Sequence, residues 1–319
     1  MASAMRKYEW RSMTGAERRE AIEAYLFLSP WIIGFIAFLV VPIGMAVYSA
    51  FTEWTLINPP PRWIGLENFR EMFTADRYFY WSLWVTVKYM LMTLVPFLII
   101  GLALALLLNQ RLRGMNFFRT VFYVPAVVSG VAVTLLWISL LDDKLGAINT
   151  LLRQLGIGNP PNWLNSAQWA LPAVALMSLW GVGGGAIIYL AGLQNIPDHL
   201  YEAARIDGAN SWQTFWKITM PLLSPTIFFS LITGLIGSFQ VFTPAYIMGG
   251  TTRFGGGSRH LRFYLLHVYV KGFQQGRLGY ASALAWVLAI ISAIAVILVY
   301  NSSERYVYYE EGGQEAKAP

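Results

Sequence analysis

The amino-acid sequence predicts an all-α polytopic membrane protein with six transmembrane helices. Three observations carry this prediction. Six long apolar runs recur along the 319 residues, at about 25–51, 82–108, 120–141, 169–193, 222–249 and 280–300; a helix needs roughly 20 residues to cross the hydrocarbon. Five of the six runs contain no Asp, Glu, Lys or Arg. The composition agrees: 56% of residues are hydrophobic and 13% charged, where soluble domains hold roughly 45–50% and 25%. Thirteen Trp and seventeen Tyr supply the aromatics that gather at membrane interfaces.

Residues 1–24 are polar and carry Arg6, Lys7, Arg11, Arg18 and Arg19. Thr14 and Glu17 have capping-box spacing, so a helix is expected to start near Gly15. The apolar run that follows is too long for a cleavable signal peptide. Lys88 is the one charge inside a run, close enough to the span end to snorkel to the interface. The loop 52–81 holds Pro59-Pro60-Pro61 and a predicted helix at 66–73. The loop 142–168 holds an amphipathic segment at 145–155 and Asn159-Pro160-Pro161. The loop 250–279 is glycine-rich, with Gly255-Gly256-Gly257. Basic residues near span ends set orientation. Five in the N-terminal tail and Arg111, Arg113 and Arg119 in the loop 109–119 place both segments inside. Arg253, Arg259, Arg262, Lys271 and Arg277 in the loop 250–279 oppose this, leaving twelve cations inside against ten outside.

The polar stretch 201–221, YEAARIDGANSWQTFWKITMP, interrupts the apolar pattern and is expected to be wet. Pro197 suits a first helical turn, and Asp198 complements the positive end of that helix. Gly208 is placed as a helix stop. Asn210 or Ser211 can cap a second helix, whose Trp212, Phe215, Trp216 and Thr219 fall on one face by spacing. Pro221 ends this helix or kinks it into the next span. The predicted product is a helix, a glycine turn and a second helix, which protrude from the membrane as a knob.

The residue inventory bounds the chemistry. Cysteine is absent and only three His occur, so a thiol nucleophile or thiolate metal site is excluded and a histidine metal site has little to draw on. No Walker pattern is present; the Gly run at 183–185 lacks a following Lys-Ser or Lys-Thr. Asp142-Asp143 is an adjacent acid pair at a span end, read as a solvated helix terminus. At mid-span the polar groups are uncharged: Ser129 in the third run, and Ser238, Gln240 and Thr243 beside Phe239, Phe242 and Tyr246 in the fifth. Hydrogen-bonding groups beside aromatic faces suit a polyol or sugar; equally they serve as bonds between helices. The segment Gly181-Val182-Gly183-Gly184-Gly185 is expected to break the fourth run near its middle, or to let another helix approach closely. The net charge of +6 is attributed to anionic lipid contact rather than to nucleic acid.

Glu202-Ala203-Ala204, then Asp207-Gly208-Ala209, then Ile218 and Pro221, resemble the coupling-loop motif of membrane permease subunits of binding-protein-dependent ABC importers. That motif is E-A-A, a Gly four residues after the last Ala, then I-x-L-P; Met220 stands where Leu is usual. The resemblance extends more loosely over residues 25–300 and is strongest to the carbohydrate-uptake branch, the maltose and glycerol-phosphate permeases. It implies a type I importer permease fold: a cytoplasmic tail 1–24, a permease domain 25–300 with its coupling loop at 194–221, and a cytoplasmic tail 301–319. It implies a multi-pass protein of a prokaryotic inner membrane with both termini in the cytoplasm. The implied partners are a second similar permease, two copies of a cytoplasmic ATPase that holds ATP and Mg, and an extracytoplasmic solute-binding protein. This chain itself would carry no cofactor. The substrate site would lie near the midplane on the third to fifth spans, which maps onto Ser129, Trp180, Gly181, Ser238, Gln240 and Phe242. Two other readings are a membrane-embedded transferase using Asp207, for which no second Asp-rich motif exists, and an ATP-independent carrier.

Overall fold

The computed structural model describes residues 14–57, 61–110, 112–248 and 259–303. The expectations for residues 1–13, for Asn58 to Pro60, for Arg253 and the glycine run at 255–257, and for the tail beyond Ser303 lie outside them. Helix α1 (Gly15–Phe35) begins where the cap signal places it: the Thr14 hydroxyl accepts from the Glu17 N–H, and the Glu17 carboxylate accepts from the Thr14 N–H at 2.7 Å. It passes through a π turn (Ile36–Val40) into α2 (Val41–Ala50) as one 36-residue helix. Pro42 explains the turn. A proline lacks an N–H and its ring crowds the carbonyl four residues back; the Val41 N–H reaches instead to Ile36, five back, which widens the coil there.

A two-stranded ribbon, β1 (Thr52–Glu53) with β2 (Arg62–Trp63), follows. Helix α3 (Glu67–Thr74) stands where one was expected, and Asn68 ties it to the end of α2 and to β1 by donating to the carbonyls of Ala50 and Thr52. The second run is α4 (Phe79–Leu108). The third is not one straight span. Helices α5 (Met115–Val127) and α6 (Gly130–Leu140) meet at 93°, because Val128 and Ser129 are both extended, with ψ of 139° and 132°. At ~1.5 Å per residue each half falls short of the ~30 Å hydrocarbon thickness. Helix α7 (Ala147–Gln154) realises the amphipathic segment of the next loop. The fourth run bends by 42° between α8 (Ala170–Leu179) and α9 (Val182–Gln194), at Trp180 and Gly181.

The glycines past that bend serve the second expected purpose. A Cβ at Gly183 would lie 1.8 Å from the Phe122 carbonyl oxygen, so the backbones of α9 and α5 touch there. Helix α10 (Asp198–Ile206) and α11 (Ser211–Thr214) precede a second π turn (Phe215–Thr219) and α12 (Met220–Phe239). Pro221 therefore does not end the helix. The π turn two residues earlier accommodates it, with the Met220 N–H reaching Phe215, as at Pro42. Helix α13 (Thr243–Met248) continues the fifth run after a gap at residues 240–242. Helix α14 (Tyr264–Tyr269) passes through a third π turn (Val270–Gln274), and α15 (Leu278–Ser303) is the last run. Among the described residues, four helices are long and apolar enough to cross a membrane, or up to six spans if each bent pair counts as one.

Helix α4 is the hub, packed on α8, α9, α12 and α14, while α15 covers α2, α12 and α14. One apolar cluster joins α4, α6, α8 and α14 around Trp137, Val174 and Phe263. A second joins α2, α3, α4, α12 and α15 around Met72, Phe79 and Tyr280. A third joins the end of α4 to α9 and the start of α12 around Tyr189 and Leu223. Helix α1 buries none of its residues against this chain.

Candidate functional site

Two regions hold the residues singled out by sequence, and a third emerges only in three dimensions. The first is the polar stretch after α9. Helix α10 ends in a Schellman arrangement: the Ala209 N–H donates to the Ala204 carbonyl and the Gly208 N–H to Arg205, with Gly208 left-handed at φ 76°. Asn210 then caps α11 in a box with Gln213. The knob is thus built as its spacing predicts. Packing decides which of its residues face outward. Ala204 is buried within this chain, while Glu202, Ala203, Asp207 and Gly208 are exposed and Ala209 is half-buried. No ion pair joins Glu202 to Arg205 among the described residues. Ile206, which sequence reasoning passed over, is 87% exposed at the tip; an isoleucine between charged neighbours was its only signal. The π turn also breaks the expected aromatic stripe. Trp212, Phe215 and Trp216 make mutual ring contacts 5.2–6.4 Å apart, but Thr219 turns inward to meet the Tyr201 hydroxyl at 3.1 Å. Ile218 and Pro221 are half-buried.

Beside the knob lies an open depression of about 980 Å³ between α10 and the loop 109–119, lined among others by Asn109, Arg119, Asp198, Glu202 and Arg205. Arg119 holds that loop by donating through Nε and Nη2 to the Leu108 carbonyl at the end of α4.

The second region is the set of helix interruptions. Ser129 is the N-cap residue of α6, Trp180 and Gly181 are the junction of α8 and α9, and Gln240 ends α12. Phe242 immediately precedes α13, and Ser238 lies in the last turn of α12. All six residues picked as substrate candidates therefore sit at, or within two residues of, a break in a membrane-level helix. Discontinuous helices free backbone groups where irregular structure lines a cavity. Among the described residues the breaks do not line one shared pocket. Ser238 opens on a cavity of about 150 Å³ with Tyr89, Thr93, Phe97 and Ser178. Its hydroxyl is spent on the Gly234 carbonyl at 2.8 Å. Gln240 and Ser129 are exposed, and Trp180 is half-exposed with its ring edge-on to Trp137. Phe242 joins Tyr246 and Tyr269 in a ring cluster.

The third region gathers charges from the loops 52–81 and 250–279. Asp76, just before α4, has a side chain only 2% exposed. Its Oδ2 accepts from His267 Nε2 at 2.9 Å and from the Tyr280 hydroxyl at 2.7 Å, with Lys271 Nζ at 3.3 Å; its Oδ1 accepts from the Tyr78 N–H. Glu71 on α3 takes a bidentate pair from Arg277, and the Arg262 guanidinium stacks 3.9 Å over the Tyr78 ring. Burial alone would raise the Asp76 carboxyl, but the hydrogen bonds from His267 and Tyr280 outweigh it and hold it well below the usual carboxylate range. Burial dominates at His267, lowering it despite the Asp76 bond, with Arg262 and Lys271 adding to the effect. Asp76 is thus ionised and His267 neutral, its Nε2–H donating and its buried Nδ1 without a hydrogen-bond partner among the described residues. Lys271 and Arg277 therefore oppose the charge rule for topology only in the sequence; in the fold they answer internal carboxylates. Lys88, by contrast, is exposed.

Three comparisons bear on this geometry. The family model described as binding-protein-dependent transport system inner membrane component matches residues 97–308. The chain is 40% identical over 294 residues to the probable ABC transporter permease protein YesP of Bacillus subtilis, covering 92% of this chain and 94% of that one. It is 31% identical to the trehalose/maltose transport system permease protein MalF of Thermococcus litoralis, covering 90% and 95%. A crystal structure of a bacterial ABC transporter involved in the import of the acidic polysaccharide alginate superimposes with a TM-score of 0.80 at 26% identity, over 92% of this chain and 99% of that chain.

Proposed function

The chain belongs to the family of binding-protein-dependent transport system inner membrane components, and on that premise we propose that it is one of two permease subunits of an ATP-driven sugar importer. As such a subunit it forms part of a translocation path and is not itself an enzyme. The observation that carries the mechanism is the coincidence of three helix interruptions with the uncharged polar and aromatic residues Ser129, Trp180, Gly181, Ser238, Gln240 and Phe242. Interrupted helices near the bilayer midplane are where many secondary transporters hold their solutes. Uncharged donors, acceptors and ring faces match a neutral, hydroxyl-rich solute. Sugar as the class rests on the relatives, whose names specify trehalose, maltose, arabinooligosaccharides and starch degradation products.

In the proposed cycle, a binding protein delivers sugar to the face bearing the loops 52–81, 142–168 and 250–279. Two ATPase copies on the opposite face bind ATP with Mg and close. They grip the knob, with Ile206 entering an apolar recess and Glu202, Ala203, Asp207, Gly208 and Ala209 forming its exposed and half-exposed shell. Ala204, Ile218 and Pro221 act from within, fixing the knob to the base of α12. The rigid turn then conveys ATPase closure into α12, and the spans rock around the interruptions. Both termini are cytoplasmic in this arrangement, and a second permease completes the path that this chain leaves open.

The test is uptake in vesicles holding the complete importer. Gln240→Leu removes the amide at the end of α12 while keeping the volume. The expected result is normal assembly with uptake lowered roughly five-fold or more, since an unpaired buried solute hydroxyl costs about 1–3 kcal/mol. Wild-type uptake by that variant would remove Gln240 from the site. Absence of sugar-dependent transport by the wild-type importer would overturn the function.

A further inference from the structure

The proposed substrate residues account for one ring of a larger cluster. Phe242, Tyr246 and Tyr269 form a closed triad with centroids 5.1–5.4 Å apart, and Phe273 stacks on Tyr269 at 5.3 Å and 28°. Tyr246 is 45% and Phe273 67% exposed. Phe242 and Tyr246 belong to the fifth run, whereas Tyr269 and Phe273 lie in a segment outside every candidate span. The four rings therefore lead from the helix break at Gln240 to the loop side of the protein.

The cluster is also held rigidly. In the segment 264–274, Tyr269 and Phe273 are one turn apart, as are His267 and Lys271. The two pairs are offset by two residues, ~200° around a helix, so they point to opposite sides. On the far side His267 and Lys271 are both anchored on Asp76, and Lys271 sits within the π turn Val270–Gln274. The buried carboxylate thus fixes the rotation of the segment that presents the rings. A fixed aromatic surface, edged by the Tyr246 and Tyr269 hydroxyls, is complementary to a pyranose ring. The apolar C–H face of the sugar stacks while its hydroxyls find donors and acceptors at the rim.

We propose that Phe242, Tyr246, Tyr269 and Phe273 form a carbohydrate-stacking platform that receives sugar rings at the loop-side mouth and passes them to the helix breaks. This rests on the sugar-importer reading. It adds a second station that shares Phe242 with the interruptions and extends outward from them, with Tyr246 and Phe273 as its accessible faces.

The experiment uses the complete importer in vesicles, with radiolabelled maltose, trehalose and an arabinooligosaccharide as probes. Tyr246→Leu and Phe273→Leu keep apolar bulk and remove the ring. Each is expected to lower uptake roughly three-fold and the pair about ten-fold, the scale of one to two lost ring contacts. Phe273→Trp, which enlarges the stacking face, is expected to retain uptake. The second permease should co-purify with every variant. Full uptake by the double variant overturns the platform. So does equal loss in Phe273→Trp and Phe273→Leu, which would mark a shape-dependent packing site. Loss of the second permease from the Leu variants also overturns it, by making the rings a subunit interface. A wild-type importer that moves none of these sugars would instead overturn the sugar reading, and the platform with it.

Discussion

Replacing Asp76 by Asn tests whether the loop-side charge cluster holds the fold together. The carboxylate is almost fully enclosed and takes three donors on Oδ2 and one on Oδ1. An amide has only one acceptor oxygen. Turned either way, its NH₂ faces a donor: the Tyr78 N–H, or the group of His267, Tyr280 and Lys271. The substitution also leaves the Lys271 ammonium without its counter-charge, and that side chain is only 14% exposed. Removing one member of a buried pair costs about 3–5 kcal/mol. Lys271 keeps some access to water, which puts the expected loss near the lower end, about 3 kcal/mol. The assay is thermal unfolding of the detergent-purified importer followed by size-exclusion recovery. Asp142→Asn serves as the reference, because the half-buried Asp142 accepts, among the described residues, from the backbone N–H groups of Lys144 and Leu145 and faces no side-chain cation pair. The double variant Asp76→Asn with Lys271→Met should be less destabilised than Asp76→Asn alone, since it removes the stranded ammonium. The reasoning fails if Asp76→Asn unfolds with Asp142→Asn, or if adding Lys271→Met makes it worse.

Two further predictions follow from single residues. His267 is neutral in the fold and held below its ordinary value of about 6.5, facing Asp76, Lys271 and Arg262; the unfolded chain therefore takes up a proton first as pH falls. Stability is present above about pH 6.5 and is lost as pH drops below it, with a second loss at lower pH as Asp76, also depressed, protonates in the unfolded chain. His267→Gln, which keeps a donor but cannot titrate, should flatten the upper part of this profile in pH-dependent unfolding; an unchanged profile would assign the effect elsewhere. At Gly208, an added Cβ meets no atom within 4 Å, so only the left-handed backbone is at stake. Gly208→Asn should be close to wild type, Gly208→Ala should lose about 1 kcal/mol, and Gly208→Val up to about 3 kcal/mol of turn stability. Binding-protein-stimulated ATP hydrolysis and uptake should follow that order, whereas equal loss in Asn and Val would mean that partner contact, not turn strain, governs the position.

By itself the sequence determined the features that depend on neighbours along the chain. The six apolar runs, the cap at Thr14, the helix at 67–74, the stop at Gly208 and the cap at Asn210 are local, because hydrogen bonds four residues apart and side chains one turn apart set them. The break at Gly181 was legible for the same reason. The right-angle bend at Val128 and Ser129 was not, since extended backbone within an apolar run leaves hydropathy unchanged. Nor were the π turns before Pro42 and Pro221 legible, because the proline announces a disturbance without saying whether the helix stops or widens. Tertiary structure alone decided which face of the knob is offered outward, burying Ala204 and exposing Ile206. It alone brought Asp76 to His267, Lys271 and Tyr280, and Glu71 to Arg277. Partners some 191 residues apart share no periodicity, so in the sequence they read as surplus surface charge. Packing of α14 and α15 on α4 withdraws Asp76, His267 and Lys271 from water, and a desolvated charge must find its opposite; Glu71 and Arg277 pair while still partly exposed.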